Sequence, residues 1–428
     1  MMKPFEYKKL NEKLYTTRIS NGCTVFVVPK RGFHKKYAFF AVDYGGVDRR
    51  FMAAGKWTDT PAGVAHFLEH KMFDTEDGNA LEILSANGAS PNAYTSTDIT
   101  AYHFECTDSF SENLKTLLSF VSIPYFTQES VEKEQGIITQ EILMIEDEPD
   151  YCLYYGLLKS LFKHNPVRDS VAGTVESIKN ITADTLYDCH KVFYAPSNMA
   201  LCVVGDVDSS EVIDIAQEVL PETPGEAPLR DYGAVEEYLP EVTDFRKSME
   251  VNLPLFLAGC KVTPAASGTE TQRLEIISAL ALEMLCGHSS SLYLRLYAEG
   301  HINADFSASF DTSAGVAYTM FGGETRDPQH VFQEIKEEIR RLLINGPDET
   351  VFKRNKKAAI GSYIRSLNSF GVIASGLAEG HFRGFDPFET PELLSEVTVN
   401  DITAFINDNL KPENMAISII NPKNEVIH

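Results

Sequence analysis

Two stretches of this chain repeat each other at a fixed distance, and no other feature limits its fold as strongly. Ile181-Thr182-Ala183-Asp184 leads to Tyr194-Ala195-Pro196-Ser197-Asn198-Met199-Ala200-Leu201. Val397-Thr398-Val399-Asn400 leads to Leu410-Lys411-Pro412-Glu413-Asn414-Met415-Ala416-Ile417. The offsets 398 − 182 and 412 − 196 are both 216. In each copy a Thr precedes a short helix, and a P-x-N-M-A turn then leads into an apolar strand. A period this long means a duplicated domain, not a solenoid. Between the copies, LPETPGEAPLRDYGAVEEYLP (220–240) is rich in Pro, Gly and Glu and reads as a linker. The expected division is therefore residues 1–220, a linker at 221–240, and a second domain at 241–428.

The coarse pattern is mixed. Residues 14–29 read as a hairpin around Ser20-Asn21-Gly22, because Asn-Gly is a strong turn signal. Residues 37–44 read as a strand ending at Gly45-Gly46, 61–73 and 79–87 as helices, and 93–106 as one alternating strand. Residues 130–147 form a long helical pattern. In the second half, 271–285, 328–344 and 350–367 are helical, and 315–321 is a strand. Strands and helices do not alternate regularly. The expected class is α+β: two homologous α/β sandwich domains with mixed or antiparallel sheets packed by helices.

The expected first helix carries His66-Phe67-Leu68-Glu69-His70, which reads H-x-x-E-H. Two histidines four apart share one helical face and can grip one metal. Glu69 lies between them in sequence, close enough to hold a water beside that metal. Two His ligands, a neighbouring carboxylate base and an open position are the ingredients of metal-assisted amide hydrolysis. The second half has no such string. A catalytic zinc needs a third protein ligand. The acidic helix Val131-Glu132-Lys133-Glu134-Gln135-Gly136-Ile137-Ile138-Thr139-Gln140-Glu141-Ile142 offers two candidates, Glu134 and Glu141, which are seven apart on one face.

At this point the chain resembles the pitrilysin/insulinase family of zinc peptidases, the inverzincins. Gly63 to Phe73 is similar to that family's metal helix, and Asn92-Ala93-Tyr94-Thr95 to its Asn-Ala-x-Thr strand. Glu134 and Glu141 match its downstream glutamates. His164-Asn165-Pro166, Gly173-Thr174 and Val203-Val204-Gly205-Asp206-Val207 fit as well. The resemblance covers essentially the whole chain and implies one Zn2+ per chain held by His66, His70 and Glu141. It implies that Glu69 is the general base and that Glu134 supports the site without being a ligand. It also implies that an extended peptide adds to the strand at Asn92 and Ala93.

In the second domain many family members carry a substrate-contacting Arg and a downstream Tyr. Arg295 fits the first, whereas Asn303 stands where the Tyr is expected. Active units of the family contain four such domains, from one long chain or two shorter ones. The resemblance therefore implies a homologous partner without a zinc site, in a heterodimer, or else a homodimer. The expected function is a zinc endopeptidase acting on peptides or leader segments in a two-subunit chamber. The competing reading is a catalytically silent scaffold subunit of a processing complex. The intact His66, Glu69, His70 and Glu141 argue against silence.

Composition narrows the setting. Lys and Arg number 38 against 61 Asp and Glu, giving a net charge of −23. That balance argues against a nucleic-acid or anionic-membrane partner. No apolar run approaches the ~18 residues that a spanning helix needs. The seven cysteines are scattered singly with no C-x-x-C. With no apolar leader segment at the N-terminus, they read as reduced thiols of a cytoplasmic protein.

Overall fold

The computed structural model describes residues 4–76, 78–226, 228–266 and 268–423. They form two compact units. Unit 1 comprises the residues up to Ile142, Ser170–Tyr232 and Ile364–Phe388; unit 2 comprises Leu143–Asp169, Gly233–Tyr363 and the residues from Glu389 on. The units share an α+β architecture but do not follow the two halves of the sequence.

Unit 1 is built on a seven-stranded sheet. Its order is Phe5–Tyr7, Glu12–Arg18, Thr24–Pro29, Met199–Gly205, Lys36–Val42, Thr100–Cys106, Ser90–Thr95. Thr24–Pro29 and Met199–Gly205 run parallel, with Leu201 opposite Val25, and the other neighbours are antiparallel. All seven residues of the central strand Met199–Gly205 are buried. Its run of Met, Ala, Leu, Cys and Val suits a strand covered on both faces. Each fully buried Leu or Val there contributes about 1.5–3 kcal/mol.

Unit 2 repeats the last five strands of that order. Asp244–Met249, Ala416–Pro422, Leu255–Val262, Val316–Glu324 and Ser307–Ser313 lie side by side, again with one parallel pair followed by antiparallel ones. Its core gathers Phe256, Leu280, Phe321, Ile335, Ile402 and Ile417. The duplication is visible in the caps as well. Thr182 caps the helix Ala183–Phe193 through Thr185 N, and Thr398 caps Val399–Asn409 through Asp401 N.

The helices do not stay with their own half of the sequence. Helix Pro149–Leu161 packs on Ala416–Pro422, Leu255–Val262 and Asp244–Met249, within unit 2. Helix Phe370–Arg383 packs on Met199–Gly205 and Lys36–Val42, within unit 1. Gly156 makes the first docking possible: a Cβ there would lie 2.5 Å from the Phe245 ring and 2.6 Å from Ser418 Oγ.

One expected element needs correction. Residues 93–106 are not one strand but a hairpin, Ser90–Thr95 and Thr100–Cys106, turning at Ser96 to Ile99. No Gly, Pro or Asn marks that turn. It is held from outside: Gly46 N and Val47 N donate to the carbonyls of Ser96 and Thr97. Gly45 lies so close that a Cβ would fall 2.4 Å from Thr97 O.

Candidate metal centre

The motif helix runs from Val64 to Lys71. It buries Val64, Ala65, Phe67 and Leu68 in unit 1, which turns His66 and His70 to the opposite side. Its start depends on two glycines. Gly63 has φ +95° and Gly173 has φ +77°. A Cβ on Gly63 would meet Ala172 O at 2.6 Å, and one on Gly173 would meet Ala62 O at 2.4 Å. Ser177 Oγ also donates to Ala62 O at 2.8 Å. The turn Ala172-Gly173-Thr174 thus braces the entrance to the motif helix, which gives the Gly173-Thr174 match a physical role.

The acidic helix spans Gln128–Glu146 and buries Val131, Ile138 and Ile142. Gln135 Nε2 donates to Ile181 O at 3.0 Å and fixes its rotation. Glu134 and Glu141 then face the two histidines. His66 Nε2 lies 3.4 Å from Glu141 Oε1, and His70 Nε2 lies 3.5 Å from Glu141 Oε2. One nitrogen or oxygen from each of His66, His70 and Glu141 falls within 4.8 Å of the others. Ligands about 2.0–2.1 Å from a tetrahedral ion lie roughly 3.3–3.4 Å apart. The donor set and its spacing fit zinc.

Glu134 has another place. Its Oε1 accepts from His70 Nδ1 at 3.1 Å. A carboxylate only accepts, so Nδ1 carries the proton, which leaves Nε2 as the nitrogen that can ligate an ion. His66 Nδ1 is buried with no hydrogen-bond partner among the described residues; nothing in the structure accounts for it.

Glu69 is 8% exposed, and Thr95 Oγ1 donates to its Oε2 at 3.3 Å. Burial pushes the Glu69 carboxyl above its ordinary range, against the pull of His66, His70 and the Thr95 hydrogen bond. Burial also pulls His70 down. The hydrogen bond to Glu134 and the charges of Glu69, Glu141 and Glu134 outweigh it, leaving His70 above the usual histidine value. The hydrogen bond from His66 holds Glu141 below the usual carboxylate range. Within this cluster the Glu69 carboxylate is made more basic and the Glu141 carboxylate less so.

Asn92 and Ala93 lie on Ser90–Thr95, the last strand of the sheet. Ala93 N donates to Asn92 Oδ1 at 2.9 Å. Arg295 belongs to unit 2, on the helix Ser291–Ala298, where its guanidinium pairs with Glu334 at 2.7 Å. Asn303 Nδ2 donates to Glu324 Oε2 at 3.1 Å. Among the described residues no second cluster of metal-ligating side chains occurs. In unit 2 the groove between helix Gly268–Cys286 and edge strand Ser307–Ser313 holds a cavity of about 560 Å³ lined by Glu275, Glu283 and His288. Sequence reading did not single out Thr95. The available signal was its place on the Asn-Ala-x-Thr strand, two residues past Ala93 and so on the same face.

The profile described as "Insulinase (Peptidase family M16)" matches residues 51–175, and that of the "Peptidase M16 inactive domain" matches residues 180–359. The chain is 39% identical to an uncharacterised zinc protease, YmfH, of Bacillus subtilis, over 99% of this chain and 100% of that protein. The chain belongs to the M16 peptidase family. It is of the family's short, two-domain type. The crystal structure of an M16-like peptidase from Alicyclobacillus acidocaldarius superposes with a TM-score of 0.93 at 33% identity, covering 96% of this M16 chain and 99% of that one. Pitrilysin shares the fold at 17% identity and a TM-score of 0.78; the match covers 98% of this M16 chain and 46% of pitrilysin.

Proposed function

We propose that this chain is a zinc endopeptidase that hydrolyses extended peptides or leader segments. The observation that carries the reading is the convergence of His66 Nε2, His70 Nε2 and the Glu141 carboxylate beside the buried carboxylate of Glu69. His66, His70 and Glu141 would hold the ion, which supplies Lewis acidity and an acidified water. Glu134 keeps His70 in the tautomer that ligates. Glu69 takes the attacking water's proton at a carboxylate oxygen and returns it to the leaving amine nitrogen. Burial suits it to that task by raising its basicity. A substrate strand lies along Ser90–Thr95 with Asn92 and Ala93 as contacts, held through main-chain pairing that reads little sequence.

The working unit in this proposal contains two chains. Pitrilysin carries about twice this length in one chain. A homologous partner without a zinc site supplies the substrate-binding groups that Asn303 does not, while Arg295 contacts substrate from this chain's second domain. The single, unpaired cysteines support a cytoplasmic location.

Hydrolysis of a quenched fluorescent peptide library tests the reading, with the chain alone and with a co-expressed paralogue. Turnover should require zinc and vanish in Glu69→Gln, which should retain the metal. A Glu69→Gln protein that still cleaves peptide overturns the base assignment. Turnover by the chain alone replaces the heterodimer with a homodimer.

A further inference from the structure

A general base must be aimed as well as basic, and one hydroxyl pair bears on the aim of Glu69. Thr95 Oγ1 donates to Glu69 Oε2 at 3.3 Å. Behind it, fully buried Thr100 donates its hydroxyl proton to Tyr44 O at 2.8 Å, and its oxygen lies 3.4 Å from Thr95 Oγ1. A hydroxyl has one proton to give. The proton of Thr100 is committed to the Tyr44 carbonyl, so Thr95 must spend its own on either Glu69 or the oxygen of Thr100. A carboxylate is the stronger acceptor.

We infer that Thr95 is the positioning residue of Glu69: its hydroxyl, backed by Thr100, holds Oε2 and thereby sets the aim of the other carboxylate oxygen. Thr95 also lies on Ser90–Thr95, the strand proposed to receive the peptide, so substrate pairing and the aim of Glu69 share one element. The inference rests on the peptidase reading for its catalytic consequence only; the hydrogen bond itself is testable without turnover.

The test compares Thr95→Val, which keeps the shape and removes the hydroxyl, with Thr95→Ser, which keeps the hydroxyl. In zinc-loaded protein, Thr95→Val should bind the metal stoichiometrically and keep its KM within about twofold. Its kcat should fall about 10–100-fold, the scale of a small misplacement of a reacting group. Thr95→Ser should recover most of that loss. Independently, infrared difference spectra against Glu69→Gln identify the Glu69 carboxylate band, which should shift in Thr95→Val and return in Thr95→Ser. Wild-type kcat in Thr95→Val, equal impairment of both variants, or loss of zinc overturns the inference. If wild-type protein binds zinc yet cleaves nothing, the peptidase reading fails, and the infrared band alone decides: an unmoved band in Thr95→Val refutes the hydrogen bond.

Discussion

At the scale of single residues, Glu134 and Glu141 separate two roles that spacing alone leaves open. Both project from one face of the acidic helix, yet only Glu141 approaches the Nε2 atoms of both histidines. Glu134 reaches the far nitrogen of His70. Glu134→Ala should therefore weaken zinc binding about 10–100-fold without abolishing it. Glu141→Ala should remove stoichiometric binding, and Glu134→Gln should fall between wild type and Glu134→Ala. Competition against a chromophoric chelator measures all three. A second residue sets a pH limit. His190 is buried, stacked on Tyr194, and its Nε2 donates to Val121 O at 3.1 Å. Burial pulls its pKa down from 6.5 to about 4. The folded state thus binds the proton less readily than the unfolded chain. His190 contributes stability that is present above about pH 6.5 and is lost as pH falls through that value toward about 4, an amount of about 3 kcal/mol. Denaturant titrations should show the gap between wild type and His190→Gln narrowing over that window. A constant gap would mean that His190 is not held neutral.

At the scale of elements, two helical glycines should respond in opposite directions to the same kind of change. Gly156 lies where helix Pro149–Leu161 meets the unit 2 sheet, 2.5 Å from the Phe245 ring at its virtual Cβ. Gly136 sits exposed in the acidic helix with nothing within 4 Å. Gly156→Val should cost about 1–3 kcal/mol through overpacking. Gly136→Ala should stabilise by roughly 0.5–1 kcal/mol through backbone entropy. Thermal melts of the two variants check both signs. The same contrast explains what the sequence could reveal about elements. Thr182 and Thr398 announce their helices because a cap is local. His66 and His70, and Glu134 and Glu141, announce shared faces because helical spacing is local too. The turn at Ser96 to Ile99 has no Gly, Pro or Asn to signal it, and beyond its own Ser96 N to Ile99 O bond it is held by Gly46 N and Val47 N from a distant segment. Thr95 escaped for a related reason: its partner Glu69 is 26 residues away.

At the scale of the whole molecule, the least legible feature is which sheet each helix covers. An amphipathic pattern says that a helix needs an apolar surface, not whose surface it takes. The repeat at 216 residues and the Pro- and Gly-rich linker suggest a chain that could be cut into two self-sufficient halves. The structure allots the helices otherwise. Strands Met199–Gly205 and Lys36–Val42 of unit 1 are covered by Phe370–Arg383, and strands Ala416–Pro422 and Leu255–Val262 of unit 2 by Pro149–Leu161. A cut after Tyr232 leaves each fragment without one helix of its own unit and with one that belongs to the other. The residues uncovered in the first fragment include Phe39, Cys202 and Val204, which share the sheet face on which Phe26 meets His381 and Tyr37 meets Gly371, and which are buried in the intact chain. Exposing several such side chains costs about 1.5–3 kcal/mol each, enough to exceed the whole stability of a typical domain. The fragment 1–232 expressed alone should therefore bind a hydrophobic dye, melt without a sharp transition and hold zinc poorly, although it carries His66, Glu69, His70 and Glu141. Co-expressed with 233–428, it should co-purify through a tag on either piece and regain a cooperative melt. A fragment 1–232 that melts sharply by itself and binds zinc as tightly as the intact chain would show that Phe370–Arg383 is dispensable to unit 1. The exchange of helices would then be decoration on two independent domains.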